Sequence, residues 1–255
     1  TPGKFNAPRG VVASSDNMKI FVADTGNNRI QRSTDGGTTW AVIVGPGTAP
    51  NAVNQPGGLA YDEQNDKLYI ADTNNNRVLV TNTASTATAV TAIFAGSAAG
   101  RNLGQFSQPR SVAIDLNGAV YVSDTGNNRI QMNTTGMTTG WTIFASATAG
   151  TAIGKMNQPR GIFVDSNGTV YVADTGNKRV QVNTSGVWSV FMATGTAPGT
   201  VNGAEGVTVS ITGNVFIGDT LNNRIQRKPA AGGTTTIVGG PGTGLGQFNS
   251  PTGMR

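Results

Sequence analysis

The chain has 255 residues, 36 of them Gly, with only 12% charged and 6% aromatic residues and a formal net charge of +5. It contains neither Cys nor His, which excludes disulfides, thiolate metal sites, the Ser-His-Asp triad and nearly all zinc catalysis. No apolar run approaches the ~18 residues of a membrane-spanning helix, and so small a charge excess is a mild bias rather than a basic patch.

Thr1 is not a start methionine and no basic-then-apolar leader opens the chain, so it reads as a processed product or an excerpt of a longer protein. Along the chain, five segments are nearly interchangeable: residues 21–30, 69–78, 121–130, 171–180 and 216–225. The first reads Phe-Val-Ala-Asp-Thr-Gly-Asn-Asn-Arg-Ile. Their aspartates, Asp24, Asp72, Asp124, Asp174 and Asp219, are 48, 52, 50 and 45 residues apart. A second signature precedes each by 15 or 16 residues: Pro8-Arg-Gly, Pro56-Gly-Gly, Pro109-Arg-Ser, Pro159-Arg-Gly and the degenerate Ala204-Glu-Gly. It begins a sixth time at Pro251-Thr-Gly. Linkers carrying Gly3-Lys-Phe, Gly104-Gln-Phe, Gly154-Lys-Met and Gly246-Gln-Phe lead into it. The repeats are about 3–50, 51–103, 104–153, 154–200 and 201–245, with 246–255 as the start of a sixth.

Each repeat contains four short β-type runs. In the third these are Ser111–Ile114, Ala119–Ser123, Arg129–Met132 and Trp141–Ala145. Turn-forming Asp115-Leu-Asn-Gly separates the first two, and Asp124-Thr-Gly-Asn-Asn the next two. Nothing offers the long helical period of a parallel α/β fold. Four strands per repeat of ~50 residues, repeated at least five times, predict all-β propeller blades in one domain, 1–255. Five- and six-bladed closure both remain open.

The order Pro-x-Gly, then V-A-D-x-x-N-x-R-I, then an outer strand, resembles the NHL repeat, over almost the whole chain. That resemblance implies a propeller whose Pro-x-Gly strand is innermost. It also implies a role as a protein-interaction or extracellular sensor domain. Some related propellers are lactonases, amidating lyases or strictosidine synthase-like enzymes, and animal NHL domains can bind RNA. The lyases and many lactonases use histidine with a metal, and this chain has none.

Repeat logic assigns the recurring charges to the frame. Asp24 with Arg29, Asp72 with Arg77, Asp124 with Arg129, Asp174 with Arg179 and Asp219 with Arg224 are expected to satisfy loop amides and carbonyls once per blade. Recognition is then left to irregular residues. Strand topology puts the Asp-Thr-Gly-Asn-Asn loops and the Pro-x-Gly starts on one face. Arg9, Arg110 and Arg160, with Glu205 breaking the series, are expected near the axis as an anionic-ligand site. The competing reading has these arginines capping strand starts or pairing with carboxylates. Asn74, Lys178, Leu221 and the whole of Ala204-Glu-Gly are the exceptions to the repeat pattern. Trp40, Trp141 and Trp188 share one outer-strand position, which argues for packing between blades. Phe5, Phe106, Met156 and Phe248 read as plugs in the linkers.

The expected function is a non-enzymatic binding or scaffold module with a protein, anionic or glycan partner and no resident cofactor. The alternatives are a Ca²⁺-dependent lactonase- or lyase-like enzyme, with Glu205 and an Asp as ligands, and, below it, an RNA-binding propeller. Scattered basic residues and strand-bound tryptophans disfavour nucleic acid. Abundant Thr, Asn, Gly and Ala without Cys points to a bacterial secreted or cell-surface location. Asn133-Thr-Thr, Asn167-Gly-Thr and Asn183-Thr-Ser fit the glycosylation pattern, which a Thr-rich chain also produces by chance.

Overall fold

Short alternating apolar runs broken by Gly, Asn and Asp leave the chain little choice but short antiparallel strands. The computed structural model describes residues 1–83, 91–96, 98–146 and 148–254. Arg255, the last residue of the sixth repeat start, lies outside them.

Blade one is β1 (Gly10–Ala13), β2 (Ile20–Asp24), β3 (Arg29–Ser33) and β4 (Ala41–Pro46), with a short β5 (Ala52–Val53) added parallel to β4. Blade two is β6 (Pro56–Asp62), β7 (Lys67–Asp72), β8 (Arg77–Asn82) and β9 (Thr91–Ala95). Blade three is β10 (Ser111–Ile114), β11 (Val120–Asp124), β12 (Arg129–Asn133) and β13 (Trp141–Ala145). Blade four is β14 (Pro159–Val164), β15 (Val170–Asp174), β16 (Arg179–Thr184) and β17 (Val187–Thr194), with β18 (Thr200–Val201) added parallel to β17. Blade five is β19 (Gly206–Val209), β20 (Asn214–Asp219), β21 (Arg224–Pro229) and β22 (Thr236–Gly239). In every sheet the strands follow chain order, so each blade is a meander. The four runs expected in the third repeat fall within a residue of the observed strands.

The chain forms two compact units, Thr1–Gly126 with Gln131–Thr142, and Asn127–Ile130 with Ile143–Arg255. In the first, blades one and two enclose Val12, Phe21, Ile30, Val44, Leu59, Leu68 and Ile70. Blades two and three enclose Tyr69, Val78, Phe94, Phe106, Val112, Val122 and Trp141. In the second unit, blades four and five share Tyr171, Val180, Met192, Val201, Val207, Val215 and Ile217. Each such side chain contributes about 1.5–3 kcal/mol on burial, so the sheets are joined by ordinary hydrophobic packing between blades.

The Pro-x-Gly glycine has a packing reason. A Cβ on Gly10 would stand 2.6 Å from the Gly57 carbonyl oxygen, and one on Gly161 2.5 Å from that of Glu205. Inner strands approach too closely for a side chain there.

Candidate functional site

The repeated Asp sits at the end of the second strand of each blade, where a single 3₁₀ turn (Thr25–Asn27 in blade one) reverses the chain. The next residue takes left-handed geometry: Asn28, Asn76, Asn128, Lys178 and Asn223 have φ of 52–58°. Asn tolerates this region better than most residues.

Asp24, Asp72, Asp174 and Asp219 are wholly buried and fully engaged. One carboxylate oxygen accepts a linker amide, Asn6 N, Asn54 N, Asn157 N or Asn202 N, at 2.7–2.8 Å. The other accepts Arg Nε, from Arg29, Arg77, Arg179 or Arg224, at 2.6–2.8 Å. It also accepts the Nδ2 of Asn27, Asn75, Asn177 or Asn222. The guanidinium then donates to linker carbonyls, as Arg224 does to Thr196, Ala197 and Thr200. In blade three Asp124 accepts from Ser107 N at 2.7 Å and Gln131 Nε2 at 3.0 Å. Arg129 is buried.

A member of this network that the sequence reading passed over is Gln31, with Gln131, Gln181 and Gln226. Its amide donates to the same Asp and accepts a linker glycine amide (Gly3, Gly104, Gly154, Gly199) at 2.9 Å. The signal was present: Gln recurs seven residues after the Asp in four of five repeats. In blade two Leu79 takes the place. Asp72 is correspondingly pushed above the ordinary carboxylate range by burial, despite its bonds to Asn54, Asn75 and Arg77. For Asp24 burial also pushes upward, but bonds from Asn27, Asn6 and Arg29 outweigh it and hold the pKa low.

Successive blades are tied by two more bonds. The loop Thr donates to the carbonyl of the next strand start: Thr25 to Pro56, Thr73 to Pro109, Thr175 to Ala204 and Thr220 to Pro251, at 2.7–2.8 Å. The left-handed Asn accepts the amide before the next Pro: Asn28 from Gln55, Asn76 from Gln108, Asn128 from Gln158 and Asn223 from Ser250. Pro251 therefore meets blade five with the same pair of bonds that Pro56 makes to blade one.

Besides Asn74 and Leu79 of blade two, irregular residues stand at the loop ends of blades four and five. Lys178 replaces the accepting Asn, and Ala204 replaces the Pro. Arg160 donates through Nη1 to Glu205 of the next blade, both partly buried, while Arg160 Nε is buried without a partner. Leu221, 60% exposed, lies where a Cβ on Gly203 would be 2.8 Å from its Cδ1, so the bulky loop residue relies on a glycine opposite. Arg9 is exposed at the start of β1. Arg110 is half-buried before β10, its amide donating to Ser123 and its carbonyl accepting from Gly58. Of the arginine and glutamate series, Arg160 and Glu205 are the pair brought into contact.

Trp141 and Trp188 pack against the preceding blade, as expected, while Trp40 meets Phe5 and Gly37 of its own repeat. Trp141 of blade three meets Phe94 of blade two at 5.6 Å and Phe106 at 5.2 Å, and Trp188 meets Phe144 at 5.6 Å. Phe106 and Met156 are fully buried plugs, whereas Phe5 stacks edge-on against Trp40 and stays 40% exposed.

The NHL repeat family pattern matches residues 5–32, 53–80, 106–131 and 156–182. The chain is an NHL-repeat β-propeller. The fifth repeat, which carries Ala204, Glu205 and Leu221, lies outside the matched segments of this NHL protein. No curated protein matches it. Among solved structures it is similar to a chain of a nidogen/laminin complex, with 17% identity and a TM-score of 0.69 over 88% of this chain and 76% of that one. A structural-genomics protein of unknown function from Bacteroides thetaiotaomicron is similar at 17% identity and TM-score 0.73, covering 98% of this chain. The NHL chain spans 64% of that protein's length. A streptogramin B lyase is similar at 15% identity and TM-score 0.66, over 96% and 69%. These likenesses establish the fold alone. Among the described residues no helix is long and apolar enough to cross a membrane, and no three Asp or Glu side chains are grouped to hold a metal ion.

Proposed function

We propose that this NHL propeller is a non-enzymatic binding or scaffold module of the cell exterior, with a protein partner docking on its 3₁₀-loop ends. The observation that carries the reading is the inward commitment of the repeated charges. Asp24, Asp72, Asp174 and Asp219 and their arginines are spent on the frame, and the exposed tips that depart from the loop pattern are Asn74, Lys178 and Leu221. A rigid frame with neutral polar tips and one apolar and one cationic exception suits a protein surface. A propeller in a nidogen/laminin complex is consistent with this reading.

Glu205 already supplies Arg160 with an anion, which favours a protein partner over a free anionic ligand at that position. The test is cross-linking capture of a partner by the wild type and by a Lys178→Glu, Leu221→Ser double variant. The variant is expected to melt within ~2 °C of the wild type and to lose the captured partner. Equal capture by both would sink the reading.

A further inference from the structure

The strand ends opposite the 3₁₀ loops hold a cavity of about 610 Å³ between blades four and five. Asp165, Thr169, Tyr171, Phe191 and Lys228 are among its walls. Its origin can be read from the strand register. Trp188 stands opposite Asn183 in blade four. In blade five Arg227 stands opposite Thr236, so Thr235 takes the tryptophan position, facing Lys228. The glycine contacts agree: a Cβ on Gly154 would meet Trp188 at 3.4 Å, and the equivalent Cβ on Gly199 would meet Thr235 at 3.5 Å.

Phe191 is thus the counterpart of Phe94 and Phe144 without the indole that covers each of them. It keeps its edge-to-face partner Tyr171 at 5.4 Å. Lys228 is a second departure from the repeat. Ser33, Thr81, Asn133 and Asn183 hold its position elsewhere, and Ser33, Asn133 and Asn183 bond within their own hairpin turns. Lys228 instead reaches back to blade four, with Nζ 4.6 Å from the Phe191 ring centre and donating to the Phe191 carbonyl at 2.8 Å. An ammonium has three donors, and this is the one hydrogen bond it makes among the described residues.

We propose that this cavity binds a small aromatic carboxylate, its ring seated against Phe191 as an indole is seated against Phe94 and Phe144, its carboxylate on Lys228. The ring gains an edge-to-face contact, and the anion gains a charge-assisted bond in a half-enclosed setting. Burial, with the Asp165 charge second, pushes the Tyr171 hydroxyl above its ordinary pKa, so it remains a neutral donor beside the ligand. This site is separate from the loop-end surface and does not rest on that reading.

Calorimetric titration with indole-3-acetate and with its neutral analogue indole-3-ethanol tests the assignment. The wild type is expected to bind both saturably, the acid about tenfold more tightly. Lys228→Met, which keeps the aliphatic stem, should erase that difference. Thr235→Trp, which restores the missing indole, should abolish binding of both while its circular dichroism is unchanged. Absence of saturable binding to the wild type would overturn the proposal, as would a preference for the acid that survives Lys228→Met. Should Thr235→Trp fail to fold, the two probes on Lys228→Met still decide the matter.

Discussion

The junction of blades one and two and the junction of blades four and five begin from one frame and are finished differently. Both place a buried Asp in a nest of donors, and both run a Thr hydroxyl to the next strand start. At the first junction the loop end is closed by Asn28 accepting from Gln55. Its opposite end is closed by Asp66, which accepts from Lys19 at 2.8 Å, Tyr61 at 2.5 Å and Thr83. At the second junction Lys178 and the Arg160–Glu205 pair stand at the loop end, and a cavity occupies the other. The difference teaches that the Asp and Thr bonds are what two blades need in order to pack. The rest of the interface is free to vary, and it varies most where binding is proposed.

The largest test of that division removes the shared part. Asp24→Ala and Asp174→Ala should each destabilise the protein by about 3 kcal/mol, because each leaves an arginine Nε and several amides inside the blade without their acceptor. Denaturant melts of the two variants should shift by the same amount. A loss confined to one of them would show that the two junctions do not share a frame after all.

Acid should separate the junctions next. Burial raises the pKa of Asp66, but bonds from Lys19, Thr83 and Tyr61 outweigh it and bring the group down to about 2. A depressed folded-state pKa means stability present above the ordinary value near 4 and lost as pH falls through about 2. Lys19→Met removes the first of those bonds and should flatten the acid limb of stability between about pH 4 and pH 2. Asp24, also held low, is untouched by that variant and leaves a residual slope. A limb identical to the wild type's would remove Asp66 from the account.

Much of this was legible in the chain itself, and the reason is repetition. A residue met five times at one spacing declares a problem that every blade has, so the Asp–Arg pairs, the strands and the interblade tryptophans could be read directly. Gln31 and its equivalents carry the same signal, but a strand Gln is also an ordinary solvent-facing residue, and only the fold turns its amide onto the Asp. Glu205 stood out as one of two glutamates in the chain, yet its partner was not legible. Which arginine it meets depends on strand register and on inner strands close enough to need Gly161. The cavity was harder still, since it is written as an absence: Thr235 where a Trp was due, and Lys228 where a small polar residue was due. Neither is unusual until the registers are aligned.

The shared Thr bond gives a smaller effect. Thr25→Val and Thr175→Val keep side-chain volume but leave the Pro56 and Ala204 carbonyls without their donor. Each should cost about 1 kcal/mol, measured as a shift in denaturant midpoint at unchanged slope. Equality between the two again matters more than the size, because it asks whether the irregular junction has kept this bond at full strength.

The smallest effect should have the opposite sign. Lys178 sits at φ 53°, a left-handed geometry that Asn occupies at the other four loops. At the regular junction Gln55, at φ 48°, donates its amide to Asn28; at the irregular one Gly203, at φ 64°, takes the corresponding place. Lys178→Asn relieves backbone strain and supplies the amide oxygen that this junction lacks, so it should stabilise the protein by about 0.5 kcal/mol. The variant should raise Tm while weakening partner capture at the loop end, since it removes the cationic tip. A gain in stability with capture intact would make Lys178 an accident of sequence. A gain paired with lost capture would make it a position where stability has been exchanged for recognition.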